Sequence, residues 1–363
     1  MNVDRLARVR ANLRDLGLSQ MLLVDPLSIW WLCGYYTEPY ERFLGLYVSC
    51  DESRRPVMFC NRLFPAVGDA CADVRTFDDT EDPMALVSAV CDHGTTLGVD
   101  KELAARWLVP LMEAGAAAGF RLASGAVDDA RSLKDAREQD LMRAASATND
   151  RAMEWLVAQL RPGITEAQIA DGLLTEYRRL GASDHSFSPI VSFGDHGADP
   201  HHEPDNTPFE LGDVVLFDVG CKQDWYCSDM TRTFFTAEPT EHQRRVYDTV
   251  RRANEAAEAI VAPGVEFAKI DLTARRIIED AGWGPYFTHR LGHQIGLVDH
   301  EPGDVSSAHH EGVRPGQCFS IEPGIYLPGD IGVRIEDLLI VTEHGCEILN
   351  HYPKVLTVLT CHG

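Results

Sequence analysis

The stretch VVLFDVGCKQDWYCSDMTRTFF, residues 214–235, sets an aspartate in each of two apolar, strand-like runs. Asp218 lies between Phe217 and Val219, and Asp229 directly precedes Met230 and Thr231. The stretch reads as a hairpin. A two-residue turn at Gln223 and Asp224 places Asp218 directly opposite Asp229, with Cβ atoms roughly 4.5–5.5 Å apart. Two opposed carboxylates in a half-buried sheet repel each other and are costly to desolvate. A shared proton, an intervening Arg or Lys, or a metal ion would each resolve that conflict. Most strand aspartates simply face solvent, so this hairpin alone does not choose.

A second stretch repeats the arrangement. In FSIEPGIYLPGDIGVRIEDLLIV, residues 319–341, Glu322 and Glu336 lie symmetrically about Gly329 in a Pro328-Gly329-Asp330 turn. Between the two hairpins, THRLGHQIGLVDHE holds His289, His293 and His300, and its Gly292 and Gly296 admit close backbone approach. Four carboxylates and a histidine suit hard divalent cations, and imidazole raises affinity for manganese, cobalt or zinc. Four carboxylates also balance the charge of two divalent ions. A single zinc site would use fewer carboxylates and more His or Cys. The zinc-protease pattern H-E-x-x-H is absent.

The rest of the chain sets the frame. Its 363 residues exceed what one hydrophobic core usually serves, which predicts two domains. A net charge of -23, with no basic patch, argues against a nucleic-acid partner. No run of eighteen apolar residues occurs, so no membrane span is expected. The first residues lack the apolar core of a signal peptide. Val3, Leu6, Val9, Leu13 and Leu16 instead follow helical spacing. Ten scattered cysteines without a C-x-x-C pair predict reduced, mostly buried thiols and a cytoplasmic location.

Residues 1–130 alternate in type. MLLVD, FLGLYVSC, RPVMFC and TLGVD read as strands, and VPLMEAGAAAG as a helix. From residue 131 the pattern becomes long helices, strands, helices and strands again. That order predicts two similar halves in the second domain, with Thr165 as a helix N-cap.

Taken in order, FDVG, SDMTRTF, HRLGHQIGL, HE, IEPGIY and VRIED resemble the pita-bread metallopeptidases. That family includes the Xaa-Pro dipeptidases (prolidases), Xaa-Pro aminopeptidases and methionine aminopeptidases. The resemblance implies an α+β fold. A C-terminal pita-bread domain of the creatinase/aminopeptidase type would span 131–363. A smaller N-terminal α/β creatinase-like domain would span 1–130 and serve substrate access and dimerisation.

Position by position, the resemblance makes Asp218 a ligand of one metal and His293 and Glu322 ligands of the other. Asp229 and Glu336 would bridge the two. Thr231 and Arg334 would support the ligands, Arg334 by pairing with a ligand carboxylate. His201 in DPHHEP would face the substrate, His289 the scissile carbonyl, and His300 the leaving proline nitrogen. Glu322 would also shuttle a proton. Two divalent ions are implied, manganese first, with cobalt or zinc as alternatives. The implied substrate is a proline-containing dipeptide or short peptide, and the implied assembly a homodimer.

Plainer readings stand beside these. His202, His309 and His310 read as loop histidines, His93 and His242 as surface groups, and His300 alternatively as a structural hydrogen-bonder. Three departures from the family pattern fall near the substrate side: Gln294, the order LVDHE, and Trp225. A dipeptidase must meet a free C-terminal carboxylate, ideally with a cation. Arg290 and Arg42 are the candidates. The dipeptidase is therefore the first reading and the aminopeptidase the alternative. A metal-dependent lyase or amidohydrolase, and metal-free relatives of this fold, stay open.

Overall fold

The apolar spacing at the N terminus forms α1 (Val3–Asp15), capped by the Asn2 side chain. Leu6, Val9 and Leu13 are buried, while Val3 stays exposed. The structure, a computed structural model, describes residues 1–68 and 72–360. Cys71 and Cys361, counted among the expected thiols, lie outside these residues. Cys60, Cys91, Cys221, Cys227 and Cys318 are buried free thiols. The chain divides into two compact units, Met1–Arg131 and Ser132–Gly363.

In the first unit, β1 (Gln20–Leu23), β2 (Leu44–Ser49), β3 (Val57–Asn61), β4 (Asp73–Phe77), β5 (Thr96–Val99) and β6 (Gly119–Leu122) form one mixed sheet, ordered β4-β3-β2-β1-β5-β6. Helices α2 (Pro26–Cys33), α3 (Pro83–Ser88), α4 (Ala105–Glu113) and α5 (Gly125–Ser132) complete it. The stretch expected as a helix over 109–119 stops at Glu113. Its Ala- and Gly-rich end offers little side chain to bury, and Gly119 instead opens an edge strand paired to β5.

The second unit has the two-half order that its sequence predicts. Helices α6 (Ala136–Gln159) and α7 (Glu166–Leu180) precede β7 (Asp184–His185), β8 (Ile190–Phe193), β9 (Val214–Val219), β10 (Cys221–Gln223), β11 (Tyr226–Cys227) and β12 (Met230–Phe235). Helices α8 (Glu241–Ala259) and α9 (Phe267–Asp280) then precede β13 (Gly292–Gln294), β14 (Glu301–Val305), β15 (Cys318–Ile321), β16 (Gly324–Leu327), β17 (Ile331–Arg334), β18 (Asp337–Val341) and β19 (Cys346–Ile348). Capping boxes at Asp135, Thr165 and Thr240 start α6, α7 and α8 by satisfying amides that a helix start leaves open. Each helix pair buries its apolar face on its own core. Among the described residues, no helix is long and apolar enough to cross a membrane.

Candidate metal centre

Strand β9 is central, flanked by β8 and β12, and buried along its length. That position carries Asp218 into the interior. Its partners are Ile190 and Thr231, not Asp229 as the expected register had it. The turn falls one residue later, at Asp224 and Trp225, which take φ of 47° and 80°. Non-glycine residues rarely adopt such angles, so the turn left no signal in composition. Asp229, just before β12, becomes a diagonal neighbour of Asp218.

The second hairpin has the expected register. Gly324 pairs with Arg334 and Leu327 with Ile331, around Gly329 at φ 71°. Glu322 and Glu336 therefore leave the ladder together, two residues beyond its last pair. Strand β13 supplies His293 between the hairpins. Its neighbour Gly292 must lack a side chain, because a Cβ there would lie 2.0 Å from the Ser320 carbonyl oxygen.

These elements converge. His293 Nε2 lies 3.5 Å from both Asp229 Oδ2 and Glu322 Oε1. Ligand atoms of Asp229, His293 and Glu336 lie within 4.8 Å of one another. Asp218 Oδ1, Asp229 Oδ1 and Glu336 Oε1 are buried and accept no hydrogen bond. Buried carboxylate oxygens are normally satisfied, so three orphans on residues that line one cavity with His293 call for a cation. Burial, reinforced by the neighbouring carboxylates, pushes Asp229 and Glu336 well above the usual carboxylate range. Burial and Asp218 push Glu322 up to about 8, against the pull of Arg334. Burial drives His293 down to about 3, so its imidazole is neutral. Its Nδ1 lies 3.2 Å from the Gln294 carbonyl, which fixes the proton there and leaves the Nε2 lone pair for a metal. The donor set of carboxylate oxygens and one imidazole fits divalent cations.

Further residues hold this set in place. Thr231 Oγ1 donates to Glu336 Oε2 at 2.7 Å. Arg334 donates to Thr231 Oγ1 at 3.1 Å and to Asp218 Oδ2. Two buried asparagines, absent from the sequence reading, do equivalent work in the two halves. Asn149 on α6 donates to the Val219 carbonyl at 2.7 Å, next to Asp218. Asn254 on α8 donates to the Ile321 carbonyl at 2.9 Å, next to Glu322. Their equivalent positions in the first helix of each half were the only trace in the sequence; their burial and partners came with the fold. Tyr326 was also missed. Its hydroxyl accepts from Arg334 at 2.8 Å and lies 2.8 Å from His289 Nε2. His289 Nδ1 faces the Arg290 carbonyl at 2.7 Å, so Nδ1 carries the proton and Nε2 accepts from Tyr326. Burial, with Arg334 nearby, lowers His289 to about 4. Both its ring nitrogens are thus engaged, and a carbonyl substrate would have to displace one partner.

A cavity of about 640 Å³ opens onto the cluster. His201, His202, His289, Arg290, Asp299 and His300 line it along with the acidic residues. His300 is largely exposed, with Nδ1 3.4 Å from Arg290 Nη2 and Nε2 3.3 Å from Asp299 Oδ2. Of the three departures, Asp299 reaches the cavity; among the described residues, Gln294 and Trp225 do not line it. Gln294 is buried against Gly303 instead. His202, read as a plain loop histidine, lines the wall and lies 2.7 Å from Glu166 Oε2. Glu166, at the start of α7, also accepts from the Phe193 and Asp205 amides and meets His196 Nδ1 at 3.0 Å. It anchors the loop that carries His201. Arg42, in the first unit, is held by Asp79 and Glu41. His309 stacks on Phe267, and His93 and His242 are surface groups, as expected.

The comparisons agree with this geometry. Residues 140–343 match the model of metallopeptidase family M24, and residues 5–133 match the creatinase/prolidase N-terminal domain. An uncharacterized peptidase of Staphylococcus aureus is 34% identical, covering 97% of this chain and 100% of its own. The crystal structure of dipeptidase PepE from Mycobacterium ulcerans superposes with a TM-score of 0.91 at 34% identity, over 98% of this chain and 97% of that one. An Xaa-Pro dipeptidase from Bacillus anthracis follows at 0.90 and 28% identity, over 98% and 99%. Two units, a cage of carboxylates with one histidine, and these matches lead to one conclusion: the chain belongs to metallopeptidase family M24, the pita-bread peptidases, and carries their creatinase-like N-terminal domain.

Proposed function

We propose that this peptidase is an Xaa-Pro dipeptidase using two divalent ions, manganese in the first place, with cobalt or zinc as substitutes. The observation that carries the metal reading is the three orphaned, buried carboxylate oxygens of Asp218, Asp229 and Glu336, which line one cavity with His293. Asp218 would hold one ion, His293 and Glu322 the other, and Asp229 and Glu336 both. Bound ions of this kind activate water and polarise a carbonyl. Ser320 Oγ donates to Glu322 Oε1 at 3.2 Å, which leaves the other oxygen to hold and pass a proton. His300, whose Nε2 lies 3.3 Å from Asp299 Oδ2, would turn from Asp299 to protonate the leaving proline nitrogen. Arg290 sits beside His300 on the same cavity wall, and a free C-terminal carboxylate would compete with Asp304 for its guanidinium. That favours a dipeptide. The likeness to an Xaa-Pro dipeptidase supports the proline preference.

The test is product analysis after manganese loading, with Ala-Pro and Ala-Pro-Ala side by side. Cleavage of the dipeptide alone is expected. Release of Ala from the tripeptide would make the enzyme an aminopeptidase. Turnover of neither, with metal bound, would overturn the Xaa-Pro reading and direct the same site to a non-peptide substrate. A homodimer in the cytoplasm completes the proposal; light scattering at micromolar concentration would show a monomer if the dimer is wrong.

A further inference from the structure

The five-ligand cage leaves one feature of the cavity without a role. Asp299 Oδ1 is a fourth buried carboxylate oxygen that accepts no hydrogen bond. Its side chain is 15% exposed, lines the cavity, and has a carboxylate oxygen within 4.8 Å of ring nitrogens of His293 and His300. Asp299 is a fifth carboxylate on the cavity wall, and among the described residues no lysine or arginine forms an ion pair with it. Arg334 is committed to Asp218, and Arg290 to Asp304.

The surroundings give this carboxylate a direction. Arg290 donates to His300 Nδ1, and His300 Nε2–H faces Asp299 Oδ2. The row therefore runs from a guanidinium, through an imidazole, to a carboxylate beside His293. A dipeptide has the complementary order, a carboxylate at one end and an ammonium at the other. We infer that Asp299 receives the ammonium nitrogen of the substrate's N-terminal residue, so that Asp299 and Arg290 bracket a zwitterion. The inference rests on the dipeptidase reading and names the residue that selects a charged amino end. A charge-assisted hydrogen bond to a carboxylate that is 15% exposed gives such a contact its strength. The nitrogen could be the α-ammonium or a lysine side chain; the chemistry is shared, and the assay separates them.

The experiment begins with the manganese-loaded wild type on Ala-Pro, whose failure to be cleaved would count against the proposed function and not against Asp299. Calorimetry then measures a non-cleavable ketomethylene analogue of Ala-Pro, in free-amine and N-acetyl forms, on wild type and Asp299→Asn. The variant is expected to bind the free-amine analogue about tenfold to a hundredfold more weakly and the acetylated one equally well. Its metal content, by mass spectrometry, should match the wild type. A loss confined to a Lys-Pro analogue would assign the contact to the side-chain nitrogen. Equal weakening of both forms, unchanged binding of both, or loss of a metal ion would overturn the inference; the last would make Asp299 a ligand. If Asp299→Asn fails to melt cooperatively, Asp299→Ser enters the same series.

Discussion

The two carboxylate hairpins have the same design and differ in what fixes them. The second, β16 and β17, turns at Pro328-Gly329-Asp330, and its glycine supplies the positive φ. Its register follows from turn chemistry, and Glu322 and Glu336 emerge symmetrically. The first turns at Asp224 and Trp225, both at positive φ without glycine. Its turn falls one residue later than its composition suggests, which moves the partner of Asp218 by two residues, from Asp229 to Thr231. The cage survives this because a diagonal neighbour in a sheet is still within reach of a carboxylate. The metal cluster tolerates a two-residue shift of the partner strand, which keeps Asp229 on the same face, provided the buried core of β9 holds the strand.

The sharpest way to break the equivalence is to remove one carboxylate from each hairpin. Asp229→Asn and Glu336→Gln should each lose metal and lower kcat/KM by at least about a thousandfold, because each removes a charge that balances both ions. Mass spectrometry and Ala-Pro turnover check this. The metal-free proteins give a second reading. Asp299 is pushed up to about 7 and Glu322 to about 8, with burial as the main cause of both. A raised folded pKa contributes stability that is complete below the unfolded value, about 4, and is lost as pH rises through the folded one. The melting temperature of the metal-free wild type should therefore fall between pH 5 and pH 8. The stabilisation by added manganese should grow over the same interval, since ions take the deprotonated carboxylates. Asp229→Asn should flatten the metal-free profile.

Next in size is the link between the second hairpin and the cavity. Tyr326→Phe removes the hydroxyl that joins Arg334 to His289. The loss of bonds to a charged group in the interior predicts a tenfold to hundredfold fall in kcat with metal content unchanged. A fall in metal content would instead mean that Arg334 needs Tyr326 to hold Asp218. The corresponding support in the first half is Glu166. Glu166→Gln should raise KM about tenfold and change kcat less, since it loosens the loop bearing His201 while sparing the cage. It carries a pH signature. Burial opposes the charge on His196, but Glu166 outweighs it, and His196 titrates above its usual range. That contribution is complete below about pH 6.5 and is lost as pH rises through the folded value. The variant should lack this loss in a melting series from pH 6 to pH 8.

Much of this was legible in the residues. Burial of carboxylates in apolar runs, the Gly329-centred symmetry and the order of motifs point to the cage, and the structure gathers Asp229, His293, Glu322 and Glu336 around one point. The helix starts at Thr165 and α1 followed from local capping and spacing. What stayed hidden depends on contacts distant in sequence. Asn149 and Asn254 look like ordinary helix polar residues until their carbonyl partners are placed. Glu166 resembles any first-turn acid of a helix, and only the return of residues 193–205 makes it an anchor. Asp299 was visible as an odd letter in LVDHE, but its place on the cavity wall beside His293 required the fold.

The smallest effects separate the two turns themselves. Gly329 has φ 71°, and a Cβ built there meets no heavy atom within 4 Å. Gly329→Ala therefore tests backbone conformation alone, and should cost about 1 kcal/mol. Asp224 has φ 47° and is exposed, and asparagine accepts that region slightly better than aspartate. Asp224→Asn should stabilise by no more than about 0.5 kcal/mol. Urea melts of the two variants decide whether register in each hairpin comes from its turn or from its strands. A large loss at Gly329 with little change at Asp224 would assign the second register to its turn and the first to the buried faces of β9 and β12. Similar small changes at both would mean that burial alone sets both registers, and that the Pro-Gly-Asp signature was a coincidence of sequence.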